Sequence, residues 1–227
     1  MRLLRLTLTA IAFILLGANL TFAGVIKGAV TVKRLRSLED VVIFIEKVGE
    51  NKFAPPEEPA ILDQRNLVFI PHVMPILVGT KVDFPNNDNV RHNVFSPSKA
   101  KKFNLGTYGI GETKSMLFDK PGKISLLCNV HAEMSAFILV LKNPYFAVTD
   151  KEGKFSIPND KAMKAAKVSE KHKDLPAGKY IIRTWHEKLK NATQEVIVPE
   201  EGEVQVELSL TRGKPSKELY PNKKKSN

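Results

Sequence analysis

Ile124-Ser125-Leu126-Leu127-Cys128-Asn129-Val130-His131-Ala132-Glu133-Met134-Ser135-Ala136-Phe137-Ile138-Leu139-Val140-Leu141 is the stretch that decides the fold. Its two ends are apolar runs of strand length, rich in Ile, Leu, Val and Phe. Between them lies a short turn that carries a thiol, an imidazole and a thioether at three-residue spacing. Further apolar runs precede it, Val25–Val32, Val41–Glu46, Ala60–Pro71, Lys81–Phe84, Asn93–Phe95 and Ser115–Phe118, and its own two ends belong to the runs Gly122–Leu127 and Ala136–Leu141. Turn residues separate them, as in Val78-Gly79-Thr80, Pro85-Asn86-Asn87-Asp88-Asn89 and Lys120-Pro121-Gly122. Within Lys81–Phe84, Val82 and Phe84 alternate with Lys81 and Asp83, the pattern of a half-buried strand. Many short strands at this spacing predict an all-β chain built as an antiparallel sandwich.

Beyond Lys142-Asn143-Pro144 a second unit is expected. Phe146–Ile157 holds two strand-like runs around a turn containing Gly153, a hairpin signal. Asp160 to Lys173 reads as a short helix, capped by Asn159 or Asp160 and favoured by Ala162, Met163, Ala165 and Ala166. Strands are expected again over Tyr180–Trp185, Gln194–Val198 and Glu203–Leu210. The boundaries read as 1–23 for a signal peptide, 24–142 and 143–211 for two sandwiches, and 212–227 for a tail.

The first 23 residues combine Arg2 and Arg5, an apolar core from Leu6 to Leu16, and Thr21-Phe22-Ala23 as a cleavage site. The core is short for a membrane span. Export, with a periplasmic or otherwise extracytoplasmic location and the option of membrane attachment, is the expectation. The 227 residues carry a net charge of +11, much of it near the C-terminus, where six Lys/Arg stand against Glu218 from Arg212 onward. That tail reads as disordered, with weak contact to a membrane surface as its functional reading. No nucleic-acid partner is expected, because aromatic residues do not interleave with the basic ones.

Cys128 is the only cysteine. In an oxidising compartment it is an intermolecular bridge, a reactive thiol or a metal ligand. His131 three residues on favours ligation, and His92 upstream, in Val90-Arg91-His92-Asn93-Val94, offers a second imidazole. Two His, one Cys and a weak axial Met, here Met134, form the ligand set of a blue-copper site. A zinc site, a Cys–His nucleophile and a buried structural thiol are the competing readings. His72, between apolar residues, reads as a packed or hydrogen-bonded side chain rather than a ligand.

The Cys128-x-x-His131-x-x-Met134 spacing, with Gly79-Thr80-Lys81-Val82-Asp83-Phe84-Pro85-Asn86 and His92-Asn93-Val94 upstream, resembles the cupredoxins of the plastocyanin and amicyanin type. The resemblance runs from about Leu67 to Leu141. It implies a Greek-key sandwich holding one type 1 copper ion, with His92, Cys128, His131 and Met134 as ligands. It implies that Asn93 ties the two ligand loops together. It also implies single-electron exchange with redox protein partners through the His131 edge, without turnover of a substrate. Amicyanin has Pro after its loop His, where this chain has Ala132, and Glu133 adds a charge. The alternative is a copper-binding or cell-envelope structural module without fast electron exchange.

Thr149-Asp150-x-x-Gly153-x-Phe155 and Leu175-Pro176-Ala177-Gly178-Lys179-Tyr180 resemble the carboxypeptidase regulatory-like, or transthyretin-like, sandwich. That implies a small β-sandwich with no catalysis of its own. No His-Glu metalloprotease motif is present.

Overall fold

The computed structural model describes residues 24–33, 37–49, 53–165 and 175–220. The expected signal peptide, 1–23, lies outside them. The chain is nearly all β. In order it forms β1 (Val25–Val32), β2 (Val42–Ile45), β3 (Ala60–Ile61), β4 (Asp63–Arg65), β5 (Val68–Ile70), β6 (Val73–Leu77), β7 (Thr80–Pro85) and β8 (His92–Ser96). Then come β9 (Phe103–Tyr108), β10 (Thr113–Phe118), β11 (Gly122–Leu127), β12 (Ser135–Leu141), β13 (Phe146–Val148) and β14 (Lys154–Ile157). One helical turn and a half, α1 (Asp160–Ala165), precedes β15 (Gly178–Trp185), β16 (Thr193–Val198) and β17 (Glu203–Leu210). The remainder of the expected helix, from 166 on, lies outside the described residues. Among those described, no helix is long and apolar enough to cross a membrane.

Strands β3 to β12 make one sandwich. A five-stranded sheet in the order β6-β12-β11-β8-β9 faces a three-stranded sheet, β10-β7-β3. The connections β7–β8, β9–β10 and β10–β11 cross between the sheets, in Greek-key manner. Val82, Phe84, Val94, Phe118, Ile124, Leu126, Ile138 and Val140 fill the space between them. The expected strand Ala60–Pro71 is broken into three. Asn66 and Leu67 adopt φ of 54° and 61° and turn β4 into β5 as a two-residue hairpin. Sequence reading passed over β6 and β9. Pro75 removes a ladder donor from β6, and Gly106, at φ 71°, breaks the pattern of β9. Both are edge strands, where such residues are tolerated.

The expected boundary at residue 24 is corrected by strand pairing. β1 lies between β14 and β17, and β2 lies between β13 and β15. All eight residues of β1 run parallel to β17, from Val25 opposite Glu203 to Val32 opposite Leu210. The N-terminal segment therefore belongs to the second sandwich, and the first is an insertion between β2 and β13. The physical reason is that β1 and β2 supply inner strands to both sheets, and their Ile26, Val30, Ile43 and Ile45 enter the same core as Ile157, Ile182 and Leu208. Nothing local to residues 25–45 signals partners more than a hundred residues away.

The two sandwiches share a buried seam. All four residues of β2 are buried. Ile43 and Ile45 face the second sandwich's own core, while Val42 and Phe44 face outward to Val73, Leu139, Leu141, Phe146 and Trp185. On β12 the same alternation sends Ile138 and Val140 inward and Leu139 and Leu141 to the seam. His72 spans the join: its Nε2 lies 3.3 Å from Glu187 Oε1, and its Nδ1 lies 3.1 Å from the Ser135 carbonyl.

The expected disordered tail is also corrected over residues 212–220. Leu219 is buried in the seam, and the Tyr220 hydroxyl accepts the Lys142 N–H at 3.2 Å. Lys142 Nζ sits 4.3 Å from the centre of the Tyr220 ring, which meets Phe44 edge-on. Two apolar residues at its end bind a segment that net charge alone marks as solvated. Residues 221–227, with Lys223-Lys224-Lys225, lie outside the described residues.

Phe44→Ala removes the aromatic centre of this seam. It is expected to cost about 3–5 kcal/mol, read as a lowered midpoint in denaturant melts of the full chain.

Candidate metal centre

The centre lies where β8 and β11 meet. Leu127, the last residue of β11, pairs with Phe95 of β8 on one side and Ser135 of β12 on the other. The next residue, Cys128, is thereby delivered at the sheet's end beside the first residues of β8, His92 and Asn93. The loop that follows is closed at its neck. The Cys128 N–H donates to the Met134 carbonyl at 3.2 Å, and the Met134 N–H donates to the His131 carbonyl at 3.1 Å. This tight closure turns His131 back over the strand end.

His92, Cys128 and His131 converge as expected. One ligand atom from each lies within 4.8 Å of the others. The Nδ1 atoms of His92 and His131 are 3.1 Å apart, with their rings 4.9 Å centre to centre. His92 is fully buried, Cys128 is 5% exposed and His131 is partly exposed. Metal–ligand bonds of about 2.0–2.3 Å for nitrogen and sulfur donors span such a gap. Two imidazole nitrogens and a thiol in a largely buried pocket suit a soft or borderline ion, and the donor set fits copper. Met134 is buried in the core cluster that also contains Cys128. Glu133 and Ala132 are exposed, so the Glu133 charge is turned to water.

Asn93 links β8 to the Cys128 loop through its backbone. Its backbone N–H, not its side chain, meets the Cys128 sulfur, at 3.5 Å. The side-chain amide donates to Asn104 Oδ1 on β9 at 2.8 Å and so ties β8 to β9 rather than to the ligand loop.

Two polar residues of the site escaped sequence reading. Asn86, fully buried, donates through its side chain to the carbonyls of Val90 and Tyr108, and its Oδ1 accepts the Asp88 N–H. Asp88 places Oδ2 2.9 Å from His92 Nε2. The Leu67 N–H, the Asn89 N–H and the His92 ring together hold the Asp88 carboxyl below the usual carboxylate range against the opposing effect of burial. The run Asn86-Asn87-Asp88-Asn89 reads as a turn and is one. The signal for its role was an acid four residues before a ligand His, inside that turn. Deeper in, the Tyr108 hydroxyl donates to the Phe84 carbonyl and accepts from Gln64 Nε2. Burial raises the pKa of Tyr108 far above the ordinary phenol value, so it stays neutral. His72, set aside as a ligand, stands at the seam and is absent from the metal-ligating group.

No protein-family model and no curated protein matches the chain. Among solved structures it is similar to a purple cupredoxin from Nitrosopumilus maritimus, at 24% identity over 36% of this chain and 98% of that one, with a TM-score of 0.33. It is similar to amicyanin from Paracoccus versutus at 17% identity, over 43% of this chain and 96% of that one, with a TM-score of 0.35. It is also similar to a copper-containing nitrite reductase from Thermus scotoductus at 25% identity, over 50% of this chain but only 28% of that one, with a TM-score of 0.37. Likenesses this partial decide nothing about the site, and the observation that bears on it is the convergence of His92, Cys128 and His131.

Asn93→Ala leaves the backbone contact to sulfur in place and removes one amide bond to Asn104, whose Oδ1 still accepts the Gly106 N–H. The expected loss is about 1 kcal/mol of stability with metal uptake by Cys128 retained, checked by denaturant melts and by metal titration.

Proposed function

We propose that the chain binds one copper ion through His92, Cys128 and His131, with Met134 as a weak axial ligand, and carries single electrons between redox protein partners. The observation that supports this most is the convergence of two imidazoles and the one thiol at the end of a paired sheet. Copper supplies a one-electron couple whose two states prefer different geometries, so a carrier benefits from ligands that move little between them.

Each ligand has a separate restraint. His92 begins β8 and is fully buried. Cys128 follows β11 and receives the Asn93 N–H. His131 and Met134 sit in a loop closed by its own backbone bonds. Metal binding removes the thiol proton, and the Asn93 N–H is placed to steady the resulting thiolate. His131 is the ligand nearest solvent, and the adjacent Val130 is 48% exposed. This edge suits passage of an electron to a docked partner. The chain is read as a carrier, not a catalyst, and its N-terminal 23 residues as an export signal to the periplasm or an equivalent compartment.

Titration of the protein with Cu(II) is expected to produce an intense visible thiolate-to-copper band at one equivalent, absent in Cys128→Ser. A colourless one-to-one complex would remove the blue-copper reading. Met134→Leu is expected to keep the colour and raise the reduction potential, as measured by potentiometry.

A further inference from the structure

We propose that Asp88 is a positioning residue of the metal site: its carboxylate takes the Nε2–H of His92, leaves Nδ1 as the ligand nitrogen, and uses its charge to favour the oxidised state of the bound ion. The second half of this proposal rests on the copper reading above; the first half does not.

A neutral imidazole carries one N–H and one lone pair. An ionised carboxylate only accepts hydrogen bonds. With Asp88 Oδ2 2.9 Å from His92 Nε2, the proton belongs on Nε2, and the lone pair is left on Nδ1. Nδ1 is the atom that faces His131 Nδ1 and shares the cluster with Cys128.

The carboxylate is itself fixed. Oδ2 also accepts the Leu67 N–H at 2.7 Å, and Oδ1 accepts the Asn89 N–H at 2.8 Å. The Asp88 N–H is in turn held by Asn86 Oδ1. Leu67 can present its N–H because the β4–β5 hairpin places it at φ 61°. A hairpin from a different part of the sandwich therefore reaches the ligand through one shared oxygen. The side chains of His92 and Asp88 are 0% and 5% exposed, so the charge acts in a poorly screened interior. A carboxylate on the far nitrogen of a ligating imidazole raises its basicity and favours the more highly charged metal state.

The test uses the full chain. In the metal-free protein, nitrogen NMR is expected to show His92 with a protonated Nε2 and an unprotonated Nδ1. A proton on Nδ1 overturns the positioning role, whether or not copper binds. With copper loaded, D88N keeps the shape and loses the charge. Its ratio of Cu(II) to Cu(I) affinity is expected to fall about tenfold, which for a one-electron couple raises the potential by about 59 mV. D88E disturbs the packing but keeps the charge, and its potential is expected to lie nearer wild type than that of D88N. An unchanged potential in D88N, or the reverse order of the two variants, overturns the electrostatic role. Should D88N fail to fold, the comparison of D88E with wild type and the His92 tautomer of the wild type still decide the matter. Failure of the wild type to bind copper sinks the functional reading and leaves the tautomer result standing on its own.

Discussion

The double pairing of Leu127 is the constraint on which the site depends. Phe95 holds it from one side and Ser135 from the other. Side chains along a strand alternate faces with a period of two, so a slip by one residue would exchange every inward and outward position. Ile124 and Leu126 are fully buried and cannot make that exchange without exposing the core. The register of β11 thus fixes the face on which Cys128 emerges. Burial of a few aliphatic side chains sets the position of a sulfur atom several residues away. Ala132 and Glu133 lie on the exposed side of the loop, away from that fixed point.

The same economy governs the join between the sandwiches. β2 and β12 are buried on both faces, one face serving each sandwich's own core and the other the seam. The ligand loop ends where β12 begins, so its exit strand is gripped from three directions: by β11, by β6 and by the seam. His72 adds a polar link from the Ser135 carbonyl to Glu187. The second sandwich is therefore part of the frame of the centre, and Trp185, its largest fully buried side chain, packs against Phe137 of β12 with ring centres 5.1 Å apart.

Much of this was legible in the residues. The strands on either side of Cys128, the turn between them, and the triad of His92, Cys128 and His131 all follow from apolar periodicity and from the chemistry of donor types. What escaped was non-local or polar. The parallel partnership of Val25–Val32 with Glu203–Leu210 leaves no mark in either segment, because both read as ordinary strands. Leu219 and Tyr220 sat in a basic run whose charge outweighed two apolar residues in any compositional reading. Asp88 lay in an Asn-rich turn, where an acid is commonplace and its inward aim is a matter of tertiary structure.

The nested arrangement of the two sandwiches has a consequence in time. β1 is made early, yet the strand that lies along its whole length, β17, is the last of the described strands in the chain. During synthesis, the first strand must wait for the entire inserted sandwich to appear before its edge can be covered. The inserted unit closes on contacts that are much shorter in sequence and so has the faster route to its native form. Until β17 arrives, β1 presents unpaired backbone groups, a template for pairing with other chains. The order in which the chain emerges thus favours completion of the inserted sandwich first, with the outer one closing around it afterwards.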